Sequence, residues 1–219
     1  MAKISQCSTK FEAELFSAGF RLIAGIDEVG RGALAGPVVA AAVILDLTRL
    51  PTGLDDSKRL TRRQRERLAA ELEGCTQAIA VMRIEPAEID SVNIHQASLK
   101  AMAQAVAKLQ PAPDYLLIDG FPLKAVSIAQ QAIIRGDALC ASIAAASIIA
   151  KVTRDHIMHD YDQQWPGYGF ANNVGYGTPA HLASLRKLGP TPIHRRSFHG
   201  VWVSEQPLLP LSEETQRTS

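Results

Sequence analysis

Residues 25–39 read GIDEVGRGALAGPVV. A strand-like apolar run over 22–27 ends in two adjacent carboxylates, Asp27 and Glu28, and gives way at once to a loop punctuated by glycines at 30, 32 and 36, with Arg31 between the first two. After Pro37, the run VVAAAVIL over 38–45 reads as a second buried strand. The acids therefore stand at a strand end, where open α/β sheets form their ligand crevice. Neighbouring residues of a strand point to opposite faces, so Asp27 and Glu28 share a site only if the chain turns there; the glycines permit that turn.

Outward from this stretch the chain alternates element types. Thr61 is an N-cap for an amphipathic helix that stops at Gly74, and TQAIAVMRI (76–84) reads as a third strand. Pro86 suits the first turn of a helix, and IHQASLKAMAQAVAKL (94–109) repeats apolar residues at helical spacing. DYLLIDG (114–120) is a buried strand ending in Asp119, and KAVSIAQQAII (124–134) supplies one or two short strands. Gly136 and Asp137 open a long helix through about residue 161, and a further helix covers 178–188. This order predicts an α/β layered fold with a mixed sheet. With 219 residues, 47% of them hydrophobic, the chain suits one main globular unit with an appendage. The apolar run over 138–150 falls short of the roughly 20 residues a bilayer span needs. Three cysteines (Cys7, Cys75, Cys140) without a CxxC pair, and an N-terminus lacking a signal-peptide core, predict a cytoplasmic setting.

The positions of the acids carry the chemistry. Asp27 and Glu28 end the first strand, Asp119 ends another, and Asp137 stands at a helix start. Taken singly, Asp137 reads as an N-cap and Asp119 as a turn residue. Together they form a carboxylate cluster that is costly unless a cation occupies it, and oxygen-only ligands suit Mg²⁺ or Mn²⁺. That is the donor set of two-metal phosphodiester cleavage, with ions roughly 3.5 to 4 Å apart. The loop GRGALAG also invites a dinucleotide reading, as in an NAD(P)-dependent oxidoreductase. Two acids before it would repel pyrophosphate, however, and a strand follows where that motif needs a helix. Net charge is +1, so nucleic-acid binding would have to rest on local patches: KRLTRRQRER (58–67), with six basic residues and one acid, and HRR (194–196). Alone, such a run reads as a solvated helix face, or at most as a non-catalytic nucleic-acid-binding module. His156 and His159, one helical turn apart without further zinc ligands, read as exposed helix residues, and Lys151 and Asp155 as an ion pair or packing groups.

GIDEVGRGALAGPVV, DDSKRLT (55–61), LLIDG (116–120), GDALCASIAAASIIAKVTRD (136–155), GYGT (175–178) and HRRSF (194–198) occur in the order and context of the type 2 ribonuclease H family, which this chain resembles from about residue 24 to 198. The resemblance implies a ribonuclease H-like fold, with a mixed central sheet flanked by helices and a C-terminal helical extension. Its implied divisions are an N-terminal segment (1–20), a catalytic domain (21–170), a substrate-binding extension (171–200) and a disordered tail (201–219). It further implies a monomeric endonuclease that cuts RNA/DNA hybrids and single ribonucleotides embedded in duplex DNA, leaving 3′-hydroxyl and 5′-phosphate ends. Asp27, Glu28, Asp119 and Asp137 match the family's metal ligands. Gly30, Arg31 and Gly32 match the motif that contacts the ribonucleotide around its 2′-hydroxyl and phosphate, and the 2′-hydroxyl is what separates RNA from DNA at one position. Tyr176 matches the tyrosine that packs on the neighbouring sugar, and Lys58 the lysine that approaches the substrate backbone. Arg195, Arg196 and Ser197 lie in the matching C-terminal segment. Val174 stands where many relatives carry a lysine, and QPLLPL (206–211) lacks the aromatic pair of a sliding-clamp-binding motif.

Overall fold

The computed structural model describes residues 7–201. One mixed sheet has the strand order β3-β2-β1-β4-β5. β1 (Ile23–Val29), β2 (Val38–Leu45) and β3 (Thr76–Ile84) form an antiparallel meander. β4 (Tyr115–Asp119) joins the other side of β1 in parallel, and β5 (Ala129–Ile133) extends the sheet in parallel from β4. The crossover from β3 to β4 runs through α3 (Pro86–Val92) and α4 (Ile94–Lys108).

β2 is buried along its whole length, and its sequence does not alternate because helices cover both faces of the sheet. On one face Ala24, Ile26, Ala40, Ala42 and Ile118 pack against Ala97, Ala101 and Ala105 of α4. On the other, Val39, Ala41 and Val43 meet Ala145, Ile148 and Ile149 of α5 (Ala141–Gln164), together with Leu68 and Leu72 of α2 (Arg62–Glu73). The small side chains bring α5 close to the sheet. At Gly25 of β1 the approach is closest: a Cβ there would overlap the backbone of Ser142. α2 starts and stops where its sequence predicts. Thr61 and Gln64 form a reciprocal capping box, and Gly74 is the C-cap.

The long helix differs from the expectation. Gly136–Ala138 is a separate 3₁₀ turn, Cys140 is extended (φ −116°, ψ 127°), and α5 begins at Ala141. The interruption comes from the N-terminal segment. Ser8 bridges Cys140, donating its N–H to Leu139 O at 3.1 Å and accepting from Ala141 N at 3.0 Å. Glu12 of α1 (Lys10–Ser17) is buried against the start of α5, where its Oε1 accepts from Ser142 N at 2.8 Å and Ser142 Oγ at 2.7 Å. The cap that Cys140 does not provide thus comes from another helix. Beyond α5, α6 (Phe170–Asn173) and α7 (Pro179–Leu188) surround a separate apolar cluster of Met158, Tyr168, Phe170, Leu185 and Ile193. Among the described residues no helix is long and apolar enough to cross a membrane. The tail over 202–219, with the QPLLPL run, lies outside the described residues.

Candidate active site

Strand register brings two acids together. Ile26 of β1 pairs with Ile118 of β4, so Asp27 and Asp119, one residue further on, stand side by side and in the same phase on adjacent parallel strands. That phase is the one of Gly25 and Leu117, on the α5 side of the sheet. The 3₁₀ turn delivers Asp137 to the same place, with Gly136 N donating to Asp119 Oδ1 at 2.7 Å. Glu28 joins them differently from expectation. β1 continues to Val29, paired with Val39, so no turn separates Asp27 from Glu28, and the chain bends only at Gly30 (φ +95°). Asp27 Oδ1 accepts from Glu28 N at 2.8 Å, and the hydroxyl of Ser147 of α5, 2.9 Å from that of Ser57, favours the charged form of the Asp27 carboxyl.

Burial pushes the Asp27 carboxyl well above the usual carboxylate range, and the charges of Glu28, Asp119 and Asp137 push it further. Asp119 is raised by burial and by Asp137, against the Gly136 N–H that favours its charged form. Glu28 is raised by burial, although Arg31 opposes the shift. The protein supplies two counter-charges. Lys58 Nζ lies 2.7 Å from Asp137 Oδ2, and an Arg31 guanidinium nitrogen 3.1 Å from Glu28 Oε1. Partial burial alone would lower the Lys58 ammonium pKa, but its bond to Asp137 outweighs this and raises it. Among the described residues no three acidic, histidine or cysteine side chains stand close enough to close on an ion as they are placed. Two of the four acids are instead held by these cations. The donor chemistry fits a hard divalent ion: four carboxylates with neither thiolate nor imidazole, three of them raised by burial and mutual repulsion.

Beside the acids the glycine loop is braced from behind by two arginines that are fully buried. Arg154 of α5 donates to Pro37 O (2.9 Å), Ala35 O (3.0 Å) and Val174 O (2.8 Å). Arg195 donates to Arg31 O (3.0 Å) and twice to Gly36 O (3.0 and 2.8 Å). Gly30 combines its positive φ with a Cβ position already filled by the Arg154 side chain, so no other residue fits. Gly32 is open by contrast, and the ring edge of Tyr176, 3.9 Å from its Cβ position, is its nearest neighbour. Tyr176 is partly exposed, and the Arg154 guanidinium lies 5.6 Å from its ring centroid.

Asp27, Glu28, Arg31, Lys58, Asp119 and Asp137 are thus brought together, with Gly30, Gly32 and Tyr176 alongside. Arg195, expected among the substrate-binding residues, is buried and gives its guanidinium to backbone oxygens of the glycine loop. The backbone N–H groups of Arg196 and Ser197, and the Ser197 hydroxyl, bond Asp90 of α3. The Arg196 side chain is left exposed. Sequence reasoning gave no role to Arg154 or Ser147. Arg154 leaves one signal, a cation on the buried stripe of an apolar helix. His156 and His159 are exposed, and Lys151 pairs with Asp155 at 2.6 Å, as predicted. In the basic run, Arg62 and Arg67 form surface pairs with Glu66 and Glu71. A cavity of about 800 Å³ lies elsewhere, between α4 and residues 121–125, and contains none of the four acids.

The mixed five-stranded sheet, with carboxylates gathered at the ends of its central strands, defines a nuclease of the ribonuclease H fold. The ribonuclease HII family model matches residues 24–201, and the chain belongs to that family, a type 2 ribonuclease H. A ribonuclease HII of Geobacillus thermodenitrificans is 57% identical over 88% of this chain and 74% of its own length. The crystal structure of ribonuclease H2 from Pyrococcus horikoshii superposes with a TM-score of 0.72 at 28% identity, over 83% of this chain and 95% of that one. At 20% identity, a Bst ribonuclease HIII solved in complex with Mn²⁺ shares the fold, with a TM-score of 0.62 over 84% of this chain and 68% of its own.

Proposed function

We propose that the chain is a divalent-metal-dependent endonuclease that cuts RNA in RNA/DNA hybrids and at single ribonucleotides in duplex DNA, leaving 3′-hydroxyl and 5′-phosphate ends. The observation that carries this reading is the gathering of Asp27, Glu28, Asp119 and Asp137 beside a braced loop that presents Arg31. In it the four acids hold Mg²⁺ or Mn²⁺, two ions per site with substrate, and the Mn²⁺ complex of the ribonuclease HIII relative supports divalent metal use. When bound, such ions supply an activated water and neutralise charge on the leaving oxygen.

The chain's own residues orient the strand. Gly30, Arg31 and Gly32 meet the ribonucleotide at its 2′-hydroxyl and phosphate, with Arg31 offering a charged fork held by its main-chain bond to Arg195. Tyr176, beside Gly32, packs on the next sugar. Lys58 and Arg196 meet backbone phosphates; Lys58 already bridges Asp137 to the solvent side, and its side chain is 76% exposed. Arg195 is a positioning residue, and Ser197 orients the same segment through Asp90. Residues 21–170 form the catalytic domain, and 171–200 the substrate-binding helical extension. Three free thiols suit a reducing cytoplasm. A dinucleotide role finds no support, because β2, a strand, follows the glycine loop.

A labelled DNA duplex bearing one ribonucleotide, and a long RNA/DNA hybrid, should both be cut with Mg²⁺ or Mn²⁺ and left intact with chelator. Product ends are read by mass spectrometry. Cutting at all-deoxy positions, or undiminished cutting in chelator, overturns the reading.

A further inference from the structure

His181 of α7 and His194 are both buried, and no role assigned above uses them. Thr191 N donates to His194 Nδ1 at 2.9 Å, so that nitrogen is an acceptor and the ring proton sits on Nε2. His194 Nε2 lies 3.1 Å from His181 Nε2, which must then accept. The His181 proton is thereby fixed on Nδ1, 2.9 Å from Tyr176 O, an atom that can only accept. One tautomer of each ring satisfies every contact, and a second proton would set two donors against each other between the Nε2 atoms.

Each end of this chain of bonds meets substrate machinery. One end is Tyr176. At the other, His194 bridges Ala35 of the glycine loop and precedes Arg195, which bonds Arg31 O. Stacked Tyr168 and Phe170 wall the pair, with His194 5.2 Å from the Tyr168 centroid and His181 5.4 Å from that of Phe170. Arg154 and Tyr161 of α5, Tyr168, Tyr176 and Arg195 are titratable or charged groups around this cluster, and α7 itself carries Arg186 and Lys187 in its last turn. Among the described residues neither imidazole pairs with a carboxylate, and burial lowers both ring pKa values.

We infer that the neutral His181–His194 pair is a positioning device that holds Tyr176 in register with the Gly30–Gly32 loop, and so sets selectivity for a single embedded ribonucleotide over a long hybrid. This rests on the sugar-packing role of Tyr176.

Long-range ¹H–¹⁵N spectra of the full chain should show His181 protonated at Nδ1 and His194 at Nε2 near pH 7.5. Any other tautomer pair overturns the inference, whatever Tyr176 does. Steady-state cleavage of both substrates then tests the function. His181→Leu should lower single-ribonucleotide activity about tenfold, as for one lost buried hydrogen bond, mainly through KM, with a smaller loss on the hybrid. His181→Asn, whose amide donates from the Nδ1 position, should recover to within about threefold of wild type. The wild-type selectivity ratio should hold between pH 7 and pH 6 and fall only as pH drops from 5 towards 4, where His194 protonates, while that of His181→Leu stays flat. If Tyr176→Ala shifts the ratio and His181→Leu, folded by circular dichroism, does not, the device is wrong and the Tyr176 reading stands. If Tyr176→Ala leaves the ratio unchanged, the Tyr176 reading fails and the selectivity role fails with it.

Discussion

Asp119 joins two parts of the site: it ends β4, and its Oδ1 accepts the N–H that opens the turn carrying Asp137. Asn at this position keeps an acceptor for Gly136 while removing the charge. Asp119→Asn should therefore abolish metal-dependent cleavage and leave hybrid affinity within about threefold, since the basic contacts remain. Cleavage assays and fluorescence anisotropy check the two halves, and appreciable cutting by the purified variant would remove Asp119 from the metal set. Tyr176 divides differently. Its ring is offered to the substrate beside Gly32, so the flat surface should matter more than the hydroxyl. Tyr176→Phe should keep most activity on a single embedded ribonucleotide. Tyr176→Ala should lose one to two orders of magnitude there, corresponding to about 1 to 3 kcal/mol of stacking, and less on a long hybrid. Equal losses on both substrates in a folded variant would make Tyr176 a structural residue.

At the scale of elements, the closeness of β1 and α5 is what brings the acids, Ser147 and Arg154 within reach of one another. Gly25 is the point of contact, and the obstacle to a larger residue is main chain, which cannot rotate away. Gly25→Ala should destabilise the fold by about 3 kcal/mol or more, with activity lost through the same displacement. Urea melts read the first effect, and a change under about 1 kcal/mol would show that the two elements separate freely. The contrast with α2 explains what was legible in the sequence. Thr61, Gln64 and Gly74 act within one helix and its caps, so their pattern is local. Asp119 was legible because a strand end is also local; Asp27 lies two residues inside the end of β1, and parallel pairing sets it beside Asp119. The break before α5 was not legible, because it depends on Ser8 and Glu12, more than 120 residues earlier in the chain. The burial of Arg195 was hidden for a similar reason: an arginine between a histidine and a second arginine reads as surface, and only the fold reveals carbonyl oxygens of residues 31 and 36 waiting for it.

For the whole molecule, these groups set two opposing pH dependences. Asp27, Glu28 and Asp119 have raised native pKa values, so the stability they contribute is complete below about pH 4 and is lost as pH rises through their native values. His181 and His194 are lowered, His194 to about 4, so their contribution is present above about pH 6.5 and is lost as pH falls towards 4. Metal-free protein should therefore melt highest at mildly acid pH, with a decline on either side. A divalent cation acts on the first dependence only. It binds the charged acids, must compete with protons and with Lys58 at Asp137, and stabilises by mass action. Mn²⁺ at about 100 times its dissociation constant corresponds to about 2.7 kcal/mol, or roughly 5 to 10 °C in Tm for a chain of this length. That gain should be near its full size at pH 8 and small at pH 5. In Asp119→Asn the metal-free Tm at pH 8 should rise, because one repelling charge is gone, and the response to Mn²⁺ should shrink. Melting curves with chelator and with Mn²⁺ across this range measure all of these together. A gain of equal size at both pH values, retained in Asp119→Asn, would mean that the cation stabilises the protein from somewhere other than the four acids.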